Sequence, residues 1–174
     1  MKRLSVLLLV LTLLLTGCAP IVMTDGSEGD LGITAAAAME ELRVLAADLS
    51  VNIFDGEPQL LDVDDGAGYA YKIADGVRFA MYANKQDLLT SVYVSVTNEE
   101  CTEGSEEKLE EYTDLLISYF TPPEELESVL EQLHGYSSTE NVLESSAGCS
   151  TCIISITGDN TVTYFSIVPY VSEE

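Results

Sequence analysis

The chain has 174 residues, thirty of them acidic against seven basic, for a formal charge of −23, and 47% of its residues are apolar. Such acidity repels polyphosphate and excludes a nucleic-acid binder that works through a basic patch. The apolar fraction is too high for a disordered acidic tail, and the length suits one domain with a substantial core.

Lys2 and Arg3 precede an apolar run from Leu4 to Leu15, which closes on Leu15-Thr16-Gly17-Cys18. A dozen helical residues rise about 18 Å, well short of a ~30 Å hydrocarbon layer, so the run reads as an export signal and not as a permanent span. The four closing residues resemble the lipobox of bacterial lipoproteins. That resemblance implies a signal peptide over 1–17 and a diacylglyceryl group on Cys18, which becomes the first residue of the mature chain. It also implies a protein lipid-anchored to the cell membrane and facing outside the cytoplasm. Cleavage takes two basic residues and no acid, moving the formal charge from −23 to −25. Two acyl chains hold firmly where one holds marginally, so the lipid alone is a stable membrane contact. Residues 18–33, with Pro20, Gly26, Gly29 and Gly32 among Asp25, Glu28 and Asp30, read as the lipidated cysteine and a flexible acidic tether. Residues 34–174 read as a single domain.

Thr34 is placed to cap a helix over 35–49, with Ala38, Leu42, Leu45 and Leu49 along one face. From Gln59 to Thr97 the apolar period changes to two, broken by turns at Asp64-Asp65-Gly66 and Ala74-Asp75-Gly76. If each is a three-residue hairpin loop, Ile73 pairs with Val77, Tyr71 with Phe79 and Tyr69 with Met81, and Leu61 and Val63 join the same apolar face. Val92, Val94 and Val96 continue that face in a fourth strand, with Ser91, Tyr93 and Ser95 opposite. A second helix starts at Ser105, with Leu109, Tyr112, Leu116, Tyr119 and Phe120 on one face. Thr121-Pro122-Pro123-Glu124 reads as a capping box that opens a third helix, whose stripe is Leu126, Val129, Leu130 and Leu133, ending at Gly135. Strands follow near 141–144, 151–157 and 161–171, the last two apolar on both faces and so expected to be covered on two sides. No sequence repeat is present. The expected fold is α+β: an antiparallel sheet of hairpins, with a leading helix and a helical pair packed against it.

Cysteine and histidine carry what chemistry the sequence offers. Cys149-Ser150-Thr151-Cys152 has the spacing of a thioredoxin-like redox motif, but it runs into a β-like stretch instead of opening a helix, which is what activates such thiols. A bridge from Cys101 to Cys149 or Cys152 is an alternative, closing a loop of about fifty residues worth on the order of 4 kcal/mol. His134, the only histidine, would complete a Cys₃His metal set with Cys101, Cys149 and Cys152, or simply face the carbonyls of its helix end. Asp62, Asp64 and Asp65 lack the spacing of a calcium loop. No zinc-protease motif, nucleophile elbow, phosphate loop or dinucleotide fingerprint occurs.

The hairpin register places Lys72 directly opposite Arg78, with Lys85 just beyond, so three of the five mature basic residues fall within fourteen positions. Like charges facing one another in a sheet are destabilising. They form either a site for an anionic group or cations neutralised by neighbouring acids such as Glu57. The reading that follows is a lipid-anchored, exported, non-catalytic binding or structural module of the bacterial cell envelope. Its partners are the membrane through Cys18 and either another envelope protein or an anionic ligand, with no cofactor. The alternative is a thiol-redox or metal-dependent envelope protein using Cys149 and Cys152.

Overall fold

The computed structural model describes residues 29–51, 57–102, 104–134, 137–139, 142–159 and 161–170. Cys18 and most of the tether lie outside the described residues. Helix α1 (Ala35–Asp48) leads into strands β1 (Gln59–Leu61), β2 (Ala67–Ala74), β3 (Val77–Ala83) and β4 (Leu89–Thr97). Helices α2 (Ser105–Phe120) and α3 (Leu126–His134) then precede β5 (Ser137–Thr139), β6 (Val142–Gly148), β7 (Cys152–Gly158) and β8 (Val162–Pro169). All eight strands join one antiparallel sheet in the order β1-β2-β3-β4-β8-β7-β6-β5, so the chain is an α+β fold. That order is symmetric about the β4–β8 seam. Each half is a four-stranded meander preceded by helix, a likeness between halves that the sequence does not carry as a repeat. Among the described residues no helix is long and apolar enough to cross a membrane.

Thr34 caps α1 as its side chain and position require, its hydroxyl accepting from the Ala37 N–H at 3.2 Å. The buried stripe is Ala35, Ala38, Met39, Leu42 and Ala46, one residue round from the expected one, and Leu49 is 51% exposed past the helix end. Small alanines let the helix lie close to β3 and to α2. Tyr119 of α2 donates to Glu41 of α1 at 2.7 Å, joining the two helices at their solvent edge.

The centre of the sheet follows the expected register, with Tyr69 opposite Met81, Tyr71 opposite Phe79 and Lys72 opposite Arg78. At the turn itself Ala74, not Ile73, faces Val77, because the pairing slips by one between Lys72 and Ala74. Gly76 at φ +72° accommodates that slip. The first hairpin departs further: Leu60 faces Tyr69 and Leu61 faces Gly68, so Leu61 falls on the opposite face from the one expected and Val63 is outside the strand. The cause is the loop, which spans 62–66 rather than three residues; Gly66 there lies so close to the Ala83 carbonyl that a Cβ would sit 1.8 Å from its oxygen. A one-residue slip exchanges the faces of a whole strand. Leu60 is left 73% exposed at the sheet edge.

Phe79, Met81, Val92, Val94, Ile154 and Ile167 meet Leu115 and Leu116 of α2 in one core. The Phe79 ring lies 6.1 Å from that of Tyr71 and 6.4 Å from that of Tyr112. Among the described residues the last two strands are covered on this side: Cys152, Ile154, Ile156, Phe165 and Ile167 are buried, while Ile153, Val168 and Tyr164 are half-buried on the other. The expected capping box does not form. Residues 123–125 make a turn, α3 begins only at Leu126, and the Thr121 hydroxyl finds no partner among the described residues. Val129 and Leu133 seat α3 on β6, where the Ser145 hydroxyl donates to the Leu133 carbonyl at 2.8 Å.

Candidate functional site

Two features stand apart from ordinary core packing, and the first is the side of the sheet away from the helices. Register alone assembles it. One row across the strands runs Lys72, Arg78, Ser95, Tyr164, Thr157 and Glu144; the next runs Ala70, Ala80, Tyr93, Ser166, Ser155 and Ser146. Tyr82 lies beside Tyr93, the rings meeting edge to face at 5.7 Å and 82°. Register puts Tyr164 on the same face, on the strand next to that of Tyr93, and burial, then the charges of Tyr93 and Tyr164, push the Tyr82 phenol above its ordinary pKa. An antiparallel sheet commonly leaves one face to water, so openness alone means little. Charge is what distinguishes this face. In a protein with thirty acids, Glu144 is the only carboxylate within the eight described strands. The acids concentrate instead on the helices and loops.

The basic residues divide. Lys72 and Arg78 do face each other, but Lys85 sits beyond the far end of β3, with Arg78 and Ala83 separated by five strand residues or about 17 Å. Lys72 is held by Asp75 at 2.6 Å and Lys85 is held by Asp65. Each lysine, through its hydrogen bond and then its charge, holds its partner's carboxyl below the usual range. The neutralising acids are thus Asp75 and Asp65, not Glu57. Among the described residues none pairs with Arg78, which leaves one cation at the end of the ring patch.

The second feature is the turn joining β6 to β7. Cys149 donates its N–H to the Cys152 carbonyl at 2.9 Å across Ser150-Thr151, so the cysteines are paired residues of a two-residue hairpin. Their sulfurs lie 3.4 Å apart. Neither Ser150 nor Thr151 has the positive φ that suits such a turn to the twist of its strands. Contacts from outside hold it instead: the Glu125 carboxylate accepts from the Ser150 N–H at 2.9 Å and from its hydroxyl, and the Phe120 carbonyl accepts from the Thr151 hydroxyl at 2.9 Å. Gln132 adds a bond to the Gly148 N–H at 3.2 Å.

The two thiols are unequal. Burial opposes ionisation of Cys149, but hydrogen bonds from the Thr151 hydroxyl and backbone, and with Cys152, outweigh it and lower its pKa. Burial, then the hydrogen bond and charge of Cys149, push Cys152 up to about 12. Cys149 is 6% exposed and Cys152 is fully buried, its S–H directed at the Phe120 carbonyl at 3.7 Å.

No protein-family model, curated protein or solved structure matches the chain.

Cys101 does not belong to this pair. Its thiol bonds to the Thr97 carbonyl at 3.5 Å; Thr97 pairs with Val162 at the start of β8, and Cys152 with Pro169 at its end. About 23 Å of strand lies between those two places, which prevents both the bridge from Cys101 to Cys149 or Cys152 and the Cys₃His set. Among the described residues no group of three or more His, Cys, Asp and Glu is arranged to hold a metal ion. His134 ends α3, and its side chain lies outside the described residues. Sequence reasoning missed Glu125 and the Phe120 carbonyl. Both reach the turn from some 25 to 31 residues away, with no local pattern to mark them.

Proposed function

We propose that this chain is a lipid-anchored, exported, non-catalytic binding module of the bacterial cell envelope, which takes its partner on the open face of the sheet. The observation that carries the reading is the contrast of that face with the rest of the molecule. Rings and hydroxyls of Tyr82, Tyr93, Tyr164, Ser155 and Ser166 form a surface nearly free of carboxylates on a strongly acidic protein. Protein interfaces have this composition, with tyrosine enriched and acids depleted at their centre. Arg78 gives one end of the surface a positive charge suited to an anionic group on the partner, which is another envelope protein or an anionic ligand. The lipobox-like Leu15-Thr16-Gly17-Cys18 supplies the anchor, and the acidic tether keeps the domain off an anionic bilayer.

The test is to place a charge in the middle of the face. Tyr93→Lys, expressed with its native leader, should abolish the complex captured by cross-linking in intact cells. It should leave the unfolding free energy from urea titration within about 0.5 kcal/mol of the parent, as for other surface changes. Cys18→Ala should abolish acyl labelling and release the protein from membranes. Retention of the complex by Tyr93→Lys would refute the face, and unchanged membrane association of Cys18→Ala would refute the anchor.

A further inference from the structure

We propose that Cys149 and Cys152 are a thiol–disulfide exchange site for small organic disulfides, in which Cys149 takes the incoming sulfur and Cys152 closes the ring. The geometry leaves little to move. Hydrogen-bonded pairs in antiparallel strands hold their Cα atoms about 5.5 Å apart, inside the span of a disulfide. The sulfurs, 3.4 Å apart, have to approach by roughly 1.4 Å to reach a bond of about 2.05 Å. The external clamp from Glu125, Phe120 and Gln132 keeps the hairpin ends in this position whether or not the bond is made. Among the described residues no other thiol is near, because Cys101 lies at the other end of β8.

Cys149 borders the exposed turn residues Ser150 and Thr151, while Cys152 lies wholly in the core, so a slender disulfide reaches Cys149 first. The Cys149 thiolate attacks one sulfur of R–S–S–R′, forming Cys149–S–S–R and releasing R′–S⁻. The released thiolate takes the proton of Cys152, whose sulfur then attacks the Cys149 sulfur and expels R–S⁻. Two protein thiols are oxidised to one disulfide, and one external disulfide is reduced to two thiols. Closing the bond also withdraws the Cys152 S–H from the Phe120 carbonyl and leaves that carbonyl its bond from the Thr151 hydroxyl.

The experiment uses the full-length protein in detergent with oxidised glutathione, followed by peptide mass mapping. The expected product lacks two hydrogens, linked between Cys149 and Cys152, with Cys101 still a thiol. Cys152→Ala should stop at a single glutathione on Cys149. In the unsubstituted protein, which needs no tolerance of a core change, brief alkylation should mark Cys149 at least about tenfold faster than Cys152. A disulfide that includes Cys101, equal alkylation of Cys149 and Cys152, or no oxidation until the protein is denatured would each overturn the proposal.

Discussion

Gly32 and Gly76 share a backbone angle, φ +72°, but not an environment, and replacing each by alanine separates backbone strain from packing. At Gly32 a Cβ would meet nothing within 4 Å. The left-handed conformation costs an L-residue about 1–2 kcal/mol, of which about 0.4–1 kcal/mol is recovered because alanine restricts the unfolded chain. Gly32→Ala should therefore destabilise by about 0.8 kcal/mol, and by no more than about 1.6 kcal/mol. At Gly76 the same Cβ would lie 2.7 Å from the Thr97 carbonyl oxygen, 2.8 Å from the Cys101 amide nitrogen and 2.9 Å from its sulfur. Two of those are backbone atoms, and the Thr97 N–H is itself bonded to the Gly76 carbonyl at 2.7 Å, so the turn cannot move off without losing that bond. Overpacking adds about 1–3 kcal/mol, so Gly76→Ala should cost about 2–4 kcal/mol, or roughly 10 °C in melting temperature for a domain of this length. Urea denaturation at an unchanged slope measures both. Equal losses at the two glycines would refute the packing of the β2–β3 turn against the segment after β4.

Burial of Tyr119, then its bond to Glu41, holds its phenol well above the ordinary pKa, so the proton stays on in the folded state. That contribution is complete below about pH 10, the unfolded value, and falls away as pH rises above it. Tyr119→Phe should flatten the alkaline fall in stability above about pH 10, in urea titrations, while costing about 1 kcal/mol at neutral pH. Thr34→Ala removes the cap of α1 and should cost about 1 kcal/mol by the same titration. Phe79→Ala empties the centre of the core and should cost about 3–5 kcal/mol, whereas Tyr164→Ser on the open face should cost well under half of that. Similar losses from these two changes would contradict the assignment of the faces. Glu125→Gln weakens the clamp on the β6–β7 turn and should speed exchange of the Ser150 amide by about fivefold in native-state hydrogen exchange, a loss near 1 kcal/mol.

What could be read from the sequence was what local chemistry decides. Thr34 and the alanines after it set a cap and a close-packed helix, and Asp75-Gly76 fixed a hairpin whose register brought Lys72 opposite Arg78. The same rule failed at Asp65-Gly66 because Gly66 is used for close approach to Ala83, a contact between strands that no turn pattern announces. The start of α3 was misplaced for a similar reason: Glu125 is engaged with Ser150 across the fold, and Thr121 is buried rather than capping. Ser91, Tyr93 and Ser95 were legible as the outward side of one strand. That they share a face with Tyr164 and Ser166 depends on β4 pairing with β8, some seventy residues on, and hydrophobic period cannot choose a partner at that distance. The apolar alternate residues of β7 and β8, Ile153 and Val168, suggested a covered second face and instead lie on the open one.

The central claim is that the partner sits on the sheet and not on the helices, and site-specific photocross-linking in living cells tests it directly. A photoreactive residue would be placed in turn at Tyr93, Ser155 and Ser166 on the open face, and at Val44, Asp114 and Glu131 on the helical side. The account predicts a discrete cross-linked product from the first three positions and none from the last three. Products from Val44, Asp114 or Glu131 with none from Tyr93 would place the partner on the helical layer and contradict it.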